Sequence, residues 1–185
     1  LKHERGCALL RKMVMRADVL LENFAPTVME RLGVGADSLM ALNPRLVYAS
    51  GSGYGREGPR RDDLAMDLTV QAVGGVMHVT GFPDGPPVKA GPAFIDFITG
   101  THLYGAVLTA LFERERTGKG GFVHTSLLAN GLWSGSCIGQ AHFAGADFSN
   151  YRQPGHAPFT RALYETSDAR FLPFTMLRTV DAFDC

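Results

Sequence analysis

Short apolar runs alternate with segments of helical period along most of this chain, and their order predicts a parallel sheet. In residues 5–16, Leu9, Leu10, Met13 and Val14 recur on one face while Arg11, Lys12 and Arg16 lie elsewhere, the spacing of an amphipathic helix. Residues 18–21 (DVLL) are too brief for a helix and are bounded by Glu22 and Asn23, so they read as a buried strand. Pro26 suits the first turn of a short helix that Gly33 and Gly35 close, and Asp37 and Ser38 can cap another ending near Asn43 and Pro44. Residues 46–50 (LVYAS) form a second buried strand. A strand, a helical crossover and a strand within about 30 residues make a βαβ unit, which places the chain in the α/β class.

Beyond it, residues 51–63 (GSGYGREGPRRDD) are a glycine-rich, charged loop, and residues 64–79 read as a buried helix weakened at Gly74 and Gly75. Residues 80–92 form turns, most clearly at Pro83, Asp84, Gly85 and Pro86. A long helix is expected from about Phe97 to Arg116, with Leu103, Val107, Leu108 and Leu111 apolar, Glu113, Arg114, Glu115 and Arg116 polar, and Gly118 at its end. Residues 122–126 read as a strand, and residues 127–143 as one helix whose glycines and serines suit close packing. The character changes after Asp147: residues 151–160 are loop-like, and residues 162–165 and 171–175 flank a Ser167–Asp168 turn as a hairpin.

Composition narrows the function. The chain is 45% hydrophobic, and 18 basic residues balance 18 acidic ones, so neither a nucleic acid nor an anionic membrane is an expected partner. The longest apolar runs fall short of the ~20 residues that cross a bilayer, and a soluble protein is expected. Three widely spaced cysteines without a CxxC pair indicate neither a disulfide framework nor a zinc site, which fits a reducing, cytoplasmic compartment. The charged first residues lack the pattern of a signal peptide. A chain that starts without methionine inside a helical pattern is expected to be a piece of a longer protein.

Several candidate motifs dissolve on inspection. GSGYG (51–55) follows a strand, but Gly58 and Pro59 interrupt the helix that a dinucleotide loop needs, so it reads as a plain loop. The six histidines show no ligand spacing; His78 and His102 could reach a pocket, although satisfied structural histidines are the default. Ser134, Gly135 and Ser136 lack the strand–turn–helix setting of a nucleophile elbow. Asp96, within GPAFIDFITG (91–100), is different. Just before a helical run it can serve as an N-cap, and a carboxylate held there between glycines can also attack a thioester. The two readings are compatible.

Four ordered blocks extend the case: ADVLLENFAPTVMERLG (17–33), LNPRLVYASGSGYGREGP (42–59), DLTVQAVGGVMHVTGFPDGPPVKAGPAFIDFITG (67–100) and ALFERERTGKGGFVHTSLL (110–128). In sequence, order and spacing they resemble the class III CoA-transferases, a family that includes formyl-CoA and carnitine CoA-transferases and is related to the α-methylacyl-CoA racemases. The resemblance implies an incomplete, open parallel (Rossmann-like) CoA-binding domain over residues 1–146, leading into a smaller α+β domain that starts in residues 147–185. It implies an enzyme that moves CoA from an acyl-CoA to a carboxylic acid, with CoA thioesters as substrates, no tightly bound cofactor, no metal and an interlocked homodimer at full length. Asp96 matches the family's nucleophile, which forms an aspartyl anhydride and then an aspartyl-CoA thioester. Lys2, Asn23, Phe24, Ala25, Arg31, Leu64, Ala65, Met66 and Asp67 match family contacts to CoA, although Asp67 could equally be a helix cap. The racemase branch has a histidine where this chain has Met66, and a thioether exchanges no proton, so transfer is favoured over racemisation. A racemase-like isomerase and a catalytically silent CoA-binding or dimerisation fragment are the alternatives. Gly121 and His124 replace the family's usual glutamine and aspartate.

Overall fold

In the computed structural model, residues 1–81, 85–146 and 163–173 are described. The elements run α1 (Glu4–Val14), β1 (Val19–Glu22), α2 (Val28–Arg31), α3 (Ala36–Leu42), β2 (Val47–Ser52), α4 (Asp67–Val73), α5 (Phe94–Thr117), β3 (Phe122–Ser126), α6 (Leu127–Ser134), α7 (Ser136–Phe143), β4 (Leu163–Glu165) and β5 (Phe171–Pro173). Strands β1, β2 and β3 form a parallel sheet in that order, with Val19 opposite Val47 and Tyr48 opposite Phe122. The α/β class and the βαβ unit are therefore as expected.

Strand β2 is central and buried on both faces, which explains why its sequence is an apolar run rather than an alternation. Leu46 and Tyr48 join a core with Cys7, Val14, Met29, Val34, Ala36 and Leu39. On the other parity, Gly51 lies against Leu103 of α5. A second core of Tyr54, Val70 and Ile95 joins α4 and α5 to Leu127 and Leu128.

The base of the sheet is tied by polar groups. Asn43 Nδ2 donates to the carbonyls of Val14 (2.9 Å) and Ala17 (3.0 Å), fastening the end of α3 to the end of α1. The buried Arg114, expected among the polar residues ending α5, donates from Nη1 to the Arg45 carbonyl (3.1 Å) and pairs with Asp18 (3.0 Å). Gly118, at φ 74°, ends α5 in the left-handed conformation, its N–H donating to Arg114 O at 2.7 Å. Gly120 N donates to Pro44 O (2.8 Å), so close that a Cβ there would lie 2.0 Å from Leu46 O. Gly121 faces open space, with nothing within 4 Å of a Cβ built there.

Several boundaries differ from expectation. The buried face of α1 is Cys7 and Val14, while Leu9 and Met13 are exposed. The helix expected over 64–79 is only α4, stopped where Gly74 packs beside Gly131 of α6 and Gly75 takes φ 80°. The helix expected over 127–143 breaks at Gly135 into α6 and α7. Asp37 and Ser38 lie inside α3, whose N-cap is Gly35. The hairpin exists as the antiparallel pair β4 and β5, while Ala162, Phe174 and Thr175 lie outside the described residues, as do the 151–160 loop and positions 82–84 of the expected turn.

Candidate functional site

The carboxyl ends of all three parallel strands open onto one cleft of about 870 Å³, the location where open α/β sheets bind ligands. Asn23, Phe24, Ala25 and Pro26 follow β1; Gly51, Ser52 and Gly53 end and follow β2; Leu127 follows β3. The first loop is held by buried Glu22, whose carboxylate accepts from Phe24 N at 2.9 Å. Opposite it lies the segment of Asp63, Leu64, Ala65, Met66 and Asp67. Gly53 permits this wall, because a Cβ there would meet the Ala65 Cβ at 2.4 Å. The GSGYG loop thus supplies close backbone approach rather than a phosphate cradle.

The third wall is the start of α5. Asp96, Thr99, Gly100 and Leu103 fall at helical spacing and all line the cleft. Asp96 is not the N-cap, however. The helix begins two residues earlier, at Phe94, and its N-cap position, Ala93, has no side chain that could serve. Asp67, from the first turn of α4, supplies the missing acceptor: its Oδ2 receives the amides of Ile95 (2.8 Å) and Asp96 (3.2 Å). Asp67 is therefore a cap, for α5 rather than for its own helix. At the start of α4, Thr69 Oγ1 accepts from Met66 N at 2.9 Å.

These bonds alter the electrostatics of Asp96. Partial burial raises its pKa above the usual 3.8, and the Asp67 charge raises it further. A helix N-terminus ordinarily favours a carboxylate anion, but here two amides of that terminus are taken by Asp67. The same amides are consequently not free to stabilise an oxyanion. Beneath this wall, fully buried Gln71 donates from Nε2 to Asp67 and accepts from Ala90 N at 2.8 Å, fixing the segment that carries Lys89 into the cleft.

Of the residues singled out in the sequence, Asn23, Phe24, Ala25, Leu64, Ala65, Met66, Asp67 and Asp96 are brought together on this cleft. Met66 is 72% exposed there. Lys2, ahead of α1, and Arg31, on α2, are exposed and lie outside its wall. Lys89, Thr99 and the glycines ending β2 are lining residues that pattern reading missed, and it did not single out Gln71. His102 bonds to Asn130 Oδ1 and stacks edge-on with Trp133, away from the cleft wall. Asn130 Nδ2 in turn lies within hydrogen-bond reach of Thr99 (3.1 Å), Thr125 (2.9 Å) and the Ser126 carbonyl (2.7 Å), its two hydrogens shared among three acceptors in a knot that joins α5, β3 and α6. Among the described residues no cluster of His, Cys, Asp and Glu could hold a metal ion. Helix α5 is apolar and long enough to cross a membrane by length and composition, yet it packs along β2, β3 and α6.

Known proteins resemble this chain in sequence and in fold. The acetyl-CoA:oxalate CoA-transferase of Acetobacter aceti is 41% identical over 93% of this chain and 45% of its own length. The succinate–glutarate CoA-transferase of Agrobacterium fabrum is 42% identical over 69% of this chain and 32% of its own length. A CAIB/BAIF family protein from Brucella suis superposes with a TM-score of 0.75 at 36% identity, covering 79% of this chain and 39% of that one. The chain thus spans less than half the length of these relatives. A family model described as CoA-transferase family III matches residues 1–178, and the chain belongs to that family.

Proposed function

We propose that the whole protein containing this chain transfers CoA from an acyl-CoA to a carboxylic acid, with Asp96 as the nucleophile and two copies of the chain in the active assembly. The observation that carries this reading is the position of Asp96: it stands in the first turn of α5, on the wall of a cleft whose other walls are the Asn23–Phe24–Ala25 loop and the Leu64–Asp67 segment. The names of the relatives, transferases acting on acetyl-CoA and oxalate or on succinate and glutarate, supply the substrate class.

The steps balance without oxidant or reductant. An Asp96 carboxylate oxygen attacks the thioester carbonyl, the C–S bond breaks, and CoA leaves as thiolate from a mixed anhydride. The thiolate attacks Asp96 Cγ, releasing the donor acid and leaving an aspartyl-CoA thioester. The acceptor carboxylate attacks the same Cγ, expelling the thiolate. That thiolate then takes the acceptor's acyl carbon, forming the new acyl-CoA and freeing Asp96. Exchange of one thioester for another is divided into activated, near-balanced steps.

The resemblance puts Met66 where the racemase branch has its histidine, and a thioether cannot exchange a proton, which supports transfer over isomerisation. The test is to incubate the whole protein with acetyl-CoA or succinyl-CoA, trap with hydroxylamine and map the product by mass spectrometry. A hydroxamate at Asp96, absent in Asp96→Ala, is the expected result. Label elsewhere, or unchanged turnover in Asp96→Ala, overturns the mechanism. Washout of an α-proton in deuterium oxide would transfer the assignment to an isomerase. Tight CoA binding with neither reaction would leave a silent binding module.

A further inference from the structure

We infer that Asp67 and Gln71 act as a positioning pair that sets the Asp96 carboxylate in the cleft, a role different from the CoA contact that resemblance implies for Asp67. The inference rests on the proposed role of Asp96.

The hydrogen bonds define the pair. Asp67 Oδ2 receives Ile95 N at 2.8 Å and Asp96 N at 3.2 Å, and Oδ1 receives Gln71 Nε2. Gln71 Oε1 receives Ala90 N at 2.8 Å. A carboxylate whose two oxygens already take three donors has little capacity left for a ligand. Gln71 is fully buried, so its amide is paired on both sides and cannot turn toward solvent without leaving a donor or acceptor unmade. Through these bonds α4 holds both the first turn of α5 and the segment that presents Lys89.

Two effects on the nucleophile follow. The backbone at Asp96 is clamped at its own N–H, which restricts where the side chain can reach. The positive end of α5 is neutralised by Asp67 instead of by Asp96, and the Asp67 charge faces the nucleophile from one helix away. A carboxylate that is less stabilised as a resting anion is a better nucleophile when it meets the thioester. Among the described residues the other charged groups on the cleft wall are Asp63 and Lys89, one of each sign.

Asp67→Asn removes the charge and keeps an oxygen for the two amides, but its NH2 then opposes the NH2 of Gln71. The double change Asp67→Asn with Gln71→Glu restores a donor facing an acceptor at each bond and moves the charge one helical turn along α4. Carbon-13 NMR of labelled aspartates, with Asp96→Asn for assignment, reads the Asp96 titration directly. Rapid quench with acetyl-CoA reads its acylation, and calorimetry reads CoA affinity.

In Asp67→Asn the Asp96 midpoint should fall, acylation should slow on the order of 100-fold, and CoA affinity should hold. The double change should recover part of the acylation rate, and it carries the test if Asp67→Asn does not fold. Weakened CoA binding with an unmoved Asp96 midpoint would make Asp67 a ligand contact and overturn the inference. If wild-type Asp96 takes no acyl group while its midpoint still moves with Asp67, the proposed function fails and the pair stands. If wild type is acylated but neither midpoint nor rate responds, the pair alone fails.

Discussion

Replacing Gly53 with alanine tests how tightly the floor of the cleft is closed. The added methyl would sit 2.4 Å from the Ala65 Cβ, whereas carbon atoms settle about 3.5–4.0 Å apart. The end of β2 and the Leu64–Met66 wall must then separate by about 1.1–1.6 Å, and neither contact is a flexible side-chain tip. Overpacking of this kind costs about 1–3 kcal/mol, and the stiffer unfolded chain of the alanine variant returns about 0.4–1 kcal/mol, so a net loss on the order of 1–2 kcal/mol is expected. Urea unfolding at unchanged m-value measures it, and CoA titration should show weaker binding if the displaced wall belongs to the proposed CoA site. Ala65→Gly in the same chain removes the colliding methyl. The two changes should couple favourably by more than about 0.5 kcal/mol and restore CoA affinity. A Gly53→Ala variant as stable as wild type, or one that Ala65→Gly does not rescue, would refute the packing argument.

Two further outcomes follow from the same structure. Gly120→Ala should cost about 3 kcal/mol or more, because the methyl would meet the Leu46 backbone at 2.0 Å, whereas Gly121→Ala should stay within about 0.5 kcal/mol, having nothing within 4 Å; denaturant midpoints of the pair check both. Asp96 in the folded chain keeps its proton to a higher pH than the usual 3.8, so the folded state binds more protons and loses stability as pH rises through that window. Asp96→Asn should therefore be more stable than wild type at neutral pH, with the difference vanishing below pH 3.8, and unfolding midpoints that stay parallel across the acid range would contradict this.

The strands were readable because β2 is covered on both faces and opens with the apolar run Val47–Tyr48–Ala49, and because βαβ connectivity leaves little choice of pairing. The segments lining the cleft were readable because the blocks that hold Asn23 and Asp96, and the separate Leu64–Asp67 segment, resemble a family whose order they keep. What escaped was whatever depends on distant partners. The start of α5 was placed too late because a local rule looks for a cap beside the helix, and the acceptor is Asp67, 28 positions before Ile95. Arg114 looked like a solvated charge because its acceptors, Asp18 and the Arg45 carbonyl, lie at the starts of β1 and β2. Helix α4 stops early for a similar reason: Gly74 meets Gly131, a contact that no local pattern announces. The apolar face of α1 was misjudged at Leu9 and Met13 because four neighbouring apolar residues fit two faces, and the core selected the one through Cys7 and Val14.

Helix α5 is pinned at both ends by side chains it does not own or does not expose: Asp67 holds its first turn, and buried Arg114 holds its last to the base of the sheet. Between those pins Asp96 and Arg114 are separated by about 27 Å of helix. The helix thereby works as a ruler with a phase as well as a length. One residue added midway would advance that phase by about 100° and lengthen the span by about 1.5 Å, so both pins could not close with Asp96 still facing the cleft.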